Sequence, residues 1–211
     1  MKQLLIRIGL LILGLFLIAA GVAVFSKASL GFDPFMIFDS GVSNALGLSL
    51  GMTHIAINLT LLLLYLLLRK RQYINLGTLL ALTITGPLID AFTWLIGHAL
   101  PGEIGFASRV GMVLLACPLI GLGVYLYTGV RLGAGPNDLM AVIVSDMTGK
   151  PFGLVRILVD GVWTIAGALL GGKIGLGTLL SLFLVGASVQ LWGKLRPFAK
   201  YMPQHESAHL T

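Results

Sequence analysis

The chain has 211 residues, of which 57% are hydrophobic and only 10% charged, and its mean hydropathy is +0.98. A soluble domain carries about 25% charged residues, so this composition excludes an ordinary soluble globule and points to lipid. The net charge of +6 does not indicate nucleic acid either. The basic residues sit at the ends of apolar runs and form no patch interleaved with aromatics.

The first apolar run, 5–26, follows Lys2 and Arg7 and superficially reads as a signal peptide. It is longer than the apolar core of a leader and further runs follow, so it is expected to remain as a first helix. The other long runs are 50–68, 75–97, 108–128, 152–171 and 174–193. Each is close to the ~20 residues that a helix needs to cross ~30 Å of hydrocarbon. Two shorter runs, 34–46 and 136–148, are too short to cross. Each is introduced by the same punctuation, "SLGFDP" and "RLGAGP". Gly31 and Gly133 let the backbone turn sharply, and Pro34 and Pro136 open a helix at its first position. These entries predict two short helices. They are either re-entrant, where protein or water surrounds the non-helical backbone, or amphipathic and lying at the interface.

Charge orients the spans. With six crossings, Lys2, Arg7, Arg69, Lys70, Arg71, Arg131, Lys150, Arg156, Lys194, Arg196 and Lys200 fall on one side, against Lys27, Arg109 and Lys173 on the other. The basic side is cytoplasmic, so both termini are expected in the cytoplasm.

A shift of 102 residues brings the halves into register: Gly21 meets Gly123, Leu30-Gly31 meets Leu132-Gly133, Pro34 meets Pro136, and Gly47 meets Gly149. After a two-residue deletion, Gly77-Thr78-Leu79-Leu80 meets the identical Gly177-Thr178-Leu179-Leu180. Self-similarity at a fixed period is an architectural signal. Three crossings per half turn the second half over, as in the inverted repeats of many transporters. The fold expected is therefore an all-α membrane protein of six transmembrane helices in two inverted three-helix repeats, 1–100 and 101–196, each with one short helix. A cytoplasmic tail over 197–211 follows.

With "ASLGFDPF" and "VRLGAGPNDLM" set in this order of spans, residues 5–195 resemble the YczE/YyaS/YitT-type family of bacterial multi-pass membrane proteins. The resemblance implies the bacterial cell (inner) membrane. It brings no substrate and no catalytic residue.

Polar side chains inside apolar spans are costly and suggest function by default. His54 and Asn58 in the second span are spaced i, i+4, as are Arg156 and Asp160 in the fifth, so each pair shares a helix face. The 102 shift superposes the two pairs. Asp90 lies in the third span after Pro87, where desolvation would favour a proton; its counterpart is neutral Gln190. Asn137 and Asp138 suit a helix start by complementing exposed N–H groups. The solute site is expected among His54, Asn58, Asp90, Asn137, Asp138, Arg156 and Asp160, with Arg156 holding an anionic or carbonyl group of the solute. The plainer alternative is that these pairs only glue helices together.

No nucleophile elbow, P-loop or HExxH occurs, and "GAGP" has no strand before it. Neither an enzyme nor a cofactor is expected. Cys117 is the only cysteine, so no intramolecular disulfide forms. His205 and His209 read as a polar terminus rather than a metal site. The function expected is a secondary transporter or permease for a small polar solute. The alternatives are an accessory or regulatory membrane protein and a substrate-binding subunit of a larger transporter. The expected partners are the bilayer, the solute and, as an open alternative, a second copy in a homodimer.

Overall fold

The computed structural model describes residues 2–150, 152–196, 198 and 200; the tail expected over 197–211 lies otherwise outside the described residues. Eight α-helices account for nearly all of it: α1 (Lys2–Ala28), α2 (Pro34–Leu46), α3 (Leu50–Leu67), α4 (Leu76–Ala99), α5 (Phe106–Gly129), α6 (Pro136–Thr148), α7 (Phe152–Leu169) and α8 (Leu176–Leu195). A 3-10 turn at Arg71–Tyr73 joins α3 to α4, and no strand occurs among the described residues. Helices α1, α3, α4, α5 and α8 are each long and apolar enough to cross a membrane. Helix α7, the remaining span expected from sequence, carries Arg156 and Asp160 and is not among those five.

The spine of the fold is the packing of α1 on α5, with α4 flanking α1 and α8 flanking α5. The two backbones nearly touch. A Cβ on Gly14 would lie 2.7 Å from the Gly123 carbonyl oxygen, and one on Gly123 would lie 2.7 Å from that of Gly14. Gly21 backs onto Ile120 and Ala116, and Gly123 onto Ile18 and Gly14. Each member of the first set is 102 residues from its counterpart in the second. Around this seam Ala19, Val22, Phe25, Ile89, Val113, Ala116 and Cys117 form one buried cluster. A second, of Leu11, Leu15, Leu126, Tyr127 and Val130, lies nearby.

The short helices begin and end in matching ways. Gly31 and Gly133 have φ of 106° and 116°, a left-handed backbone that only glycine adopts without strain. Leu30 and Leu132, just before them, accept hydrogen bonds from Gly177 and Gly77 respectively, both at 2.7 Å. Each loop therefore seats on the first turn of the last helix of the other half. At the far ends Gly47 (φ 66°) and Gly149 (φ 65°) close α2 and α6. There the Ser43 hydroxyl donates to Leu48 and the Ser145 hydroxyl to Lys150.

At 13 residues each, α2 and α6 span about 20 Å, too little to cross ~30 Å of hydrocarbon. Their first turns pack against α3. The N–H of Asn137, in the first turn of α6, donates to Asn58 Oδ1 at 3.1 Å, and Asn58 sits midway along α3. Phe35, in the first turn of α2, belongs to a buried cluster with Leu61, Tyr65, Leu139 and Ile143. The start of α6 thus lies level with the middle of α3, and the start of α2 packs against the second half of α3.

The halves also differ in packing. Helix α3 packs closely on α4, where Gly51 backs onto Gly86 and Asp90. Helices α7 and α8 make no comparable contact among the described residues, and Gly186 has open space beside it. Outside the spans, the Tyr73 hydroxyl donates to Asp146 Oδ2 at 2.5 Å, tying the α3–α4 turn to α6. This hydrogen bond to a carboxylate raises the phenol above its ordinary pKa.

Candidate functional site

The polar residues of α3 and α7 converge with the starts of α2 and α6 on one cluster. Arg156 stands at its centre. Its Nε donates to Asp160 Oδ2 at 3.1 Å and an Nη to Asp138 Oδ1 at 3.2 Å. The first contact is the i, i+4 pair read from sequence. The second joins α7 to the third residue of α6, where a carboxylate also complements the exposed N–H groups. Asp138 is also hydrogen-bonded to the Tyr127 hydroxyl, which receives the Gly135 N–H.

On the α3 side, His54 Nδ1 lies 2.6 Å from Asp39 Oδ2. With Asp39 ionised, the imidazole donates. Asp39, in the middle of α2, is wholly buried, and its other carboxylate oxygen has no hydrogen-bond partner. Asn58 bridges: its amide donates to the His54 carbonyl at 2.9 Å and its oxygen receives the Asn137 N–H. The Asn137 side-chain oxygen is likewise buried without a partner. Tyr65 closes the base by donating to the Pro136 carbonyl at 2.8 Å. Asp33 caps α2 by accepting from the Met36 N–H at 3.2 Å. It lies within electrostatic range of Asp39, His54, Arg156 and Asp160.

Aromatic rings line the α2–α7 side of the cluster. Trp163 meets Phe35 edge-on at a centroid separation of 5.4 Å and Phe38 at 4.9 Å, and Phe35 meets the His54 ring at 5.7 Å.

Six of the residues singled out from sequence therefore belong to one network: His54, Asn58, Asn137, Asp138, Arg156 and Asp160. Asp90 is placed differently. Its carboxylate accepts from the Ser49 hydroxyl at 2.5 Å and the Gly51 N–H at 2.8 Å, which caps α3 and fastens it to α4. Gly31, Pro34, Gly133 and Pro136 shape the entries to the short helices and make none of the side-chain contacts. Sequence reasoning passed over Asp39, Phe35 and Trp163 as site residues. The rule that flagged Asp90, a lone carboxylate among apolar neighbours, applies equally to Asp39. A separate cavity of about 340 Å³, lined in part by Lys27, Thr93, Glu103 and Arg109, lies at the C-terminal end of α1 and includes none of the cluster. Among the described residues no group of histidine, cysteine and carboxylate side chains could hold a metal ion.

Residues 5–194 match the model of a family of unknown function (DUF6198). The chain belongs to this family. It is 31% identical over 186 residues to the uncharacterized membrane protein YczE of Bacillus subtilis (strain 168), covering 88% of this chain and 84% of that protein. It is 29% identical over 186 residues to the uncharacterized protein YyaS of the same organism, covering 88% and 89%. An uncharacterized protein of Haemophilus influenzae is 28% identical over 185 residues, covering 88% of this chain and 82% of its own. No solved structure matches the chain. Like YczE, this is a membrane protein, with several helices apolar enough to cross a bilayer.

Proposed function

We propose that the protein is a secondary transporter or permease for a small polar solute in the bacterial inner membrane. It would be built from two inverted repeats of three crossing helices and one re-entrant helix, with both termini in the cytoplasm. One observation carries the reading. Two short helices from opposite halves begin beside a shared polar cluster that contains a buried, half-partnered carboxylate. Unpaired charge in a hydrocarbon interior costs several kcal/mol, and water or solute lowers that cost. Half-helices whose N-termini point at a midplane site are a recurrent transporter device. The matched backbone turns at Gly31 and Gly133, and at Gly47 and Gly149, support the repeat. The looser packing of α7 on α8 than of α3 on α4 suits a molecule caught open on one side.

The test is a thermal-shift screen of the purified protein against metabolite fractions, followed by exchange into proteoliposomes. A ligand that binds only the folded state raises the melting temperature. A small solute should stabilise the wild type, fail to stabilise Asn58→Leu at equal protein level, and move across the membrane. If no small solute stabilises the protein or moves, the accessory-protein alternative replaces this reading.

A further inference from the structure

Arg156 already holds two carboxylates, through Nε to Asp160 and through one Nη to Asp138, and carboxylates outnumber cations in the cluster. Asp33, Asp39, Asp138 and Asp160 face only Arg156 and His54. With all four carboxylates ionised and His54 protonated, two negative charges are left over. The N-termini of α2 and α6 each add roughly half a positive charge, which offsets about one of the two. A solute entering this site therefore meets a residual charge near −1.

A second, independent feature is the unpartnered oxygen of Asp39, in a residue with no exposed surface. His54 satisfies one oxygen of this carboxylate and nothing in the protein satisfies the other. A third is the group of rings that meets the cluster through the Phe35–His54 contact, Phe35, Phe38 and Trp163. Aromatic faces attract desolvated organic cations, whereas a bare metal ion needs several oxygen ligands, and no such ligand set occurs among the described residues.

We propose that the site takes a small organic cation of single charge, an alkylammonium, whose charged end faces Asp39 and Asp33 and whose carbon part packs against Trp163 and Phe38. The inference rests on the cluster being the solute site of the proposed transporter. It goes further by fixing the sign, the valence and the amphipathic shape of the solute.

The probes are tetramethylammonium chloride and ethylammonium chloride, set against sodium chloride, potassium chloride and sodium acetate at matched ionic strength. Binding is followed by Trp163 fluorescence in a Trp94→Phe, Trp192→Phe background and by the melting temperature of the wild type. At least one alkylammonium should give a saturable signal that sodium, potassium and acetate do not. Leaving one partner of a desolvated charge pair unmatched lowers affinity by about thirtyfold or more, so Asp39→Asn should weaken binding by that factor. Asp146→Asn, at the Tyr73 contact, should leave it unchanged. If Asp39→Asn does not accumulate, Asp33→Asn and Trp163→Leu take its place, both read by the ligand-induced shift in their own melting temperatures, and binding unaffected by both overturns the proposal. A saturable acetate signal without an ammonium signal overturns it and leaves the transporter reading standing, as does an equal response to sodium or potassium. Silence to every solute in the metabolite screen, neutral ones included, removes the transporter reading itself.

Discussion

Replacing Arg156 by Gln should destabilise the protein more than replacing either carboxylate, because one cation holds two anions. At 3.1 and 3.2 Å and an effective dielectric constant of about 20, each contact has a gross attraction of about 5 kcal/mol. Much of this is offset by desolvation and by solvent screening, since the side chains of Arg156 and Asp138 are both 38% exposed and that of Asp160 is 25% exposed. A fully buried pair broken on one side costs about 3–5 kcal/mol, so the half-exposed triad should lose about 2–4 kcal/mol in Arg156→Gln. Asp160→Asn leaves the Asp138 contact in place and should cost about 1 kcal/mol. The double variant Arg156→Gln, Asp160→Asn should fall between them. It removes the uncompensated Asp160 and leaves Asp138 at the start of α6, where the helix end favours a carboxylate.

The assay is the unfolding free energy of purified variants in mixed micelles, measured in parallel with the amount of folded protein recovered from membranes. The order expected, from most to least damaging, is Arg156→Gln, the double variant, then Asp160→Asn. Arg156→Lys should fall short of wild type, because an ammonium lacks the planar fork that serves both carboxylates at once. Wild-type stability in Arg156→Gln, or a double variant worse than the sum of its singles, would refute the view that Arg156 neutralises two carboxylates.

Two further outcomes test the frame around the site. Reporter fusions after Arg71 and after Lys200 should both report cytoplasm and one after Pro101 the outside, as the distribution of basic residues requires; a periplasmic signal at Arg71 rejects the six-crossing arrangement. With Cys117→Ser, a Ser49→Cys, Asp90→Cys pair should oxidise readily, because the two native side chains meet at 2.5 Å, and the bridge should halt solute exchange while leaving binding intact; undiminished exchange across a complete bridge rules out a motion of α3 away from α4.

Much of this arrangement was legible because it is local. The short helices start at Pro34 and Pro136 and stop before Gly47 and Gly149, and those residues act through their own backbone. The Arg156–Asp160 contact follows from helical spacing alone. What sequence could not supply was depth and partner. Asn58 and His54 share a face, yet their roles come from residues on other helices, Asn137 and Asp39. Nothing in the spacing says that α6 reaches halfway down α3, and until that depth is known Asp138 reads as an ordinary helix start. Asp90 shows what sequence leaves out on the side of the partner. An acid in an apolar span is functional by default only if no backbone N–H claims it, and Gly51 does.

The positions that match between the halves and those that do not separate by role. Gly31 and Gly133, Ser43 and Ser145, and Thr78 and Thr178 turn the backbone or fasten a loop, and each is the same residue in both halves. The cluster departs from that symmetry at every charged position: His54 stands opposite Arg156, Asn58 opposite Asp160, Met36 opposite Asp138 and Asp39 opposite Ala141. A two-fold arrangement that exchanges its open and closed sides needs equivalent hinges, since each half must be able to adopt the conformation of the other. It does not need two equivalent binding sites if, as proposed, the halves share one. Placed symmetrically, Asp39 and Asp138 would each recur in the other half and the cluster would gain two further carboxylates. Like charges this close and this poorly hydrated repel strongly, and one solute cation could not offset them. Divergence at the site and identity at the turns is therefore what the proposed single-cation site between two interchangeable halves would require.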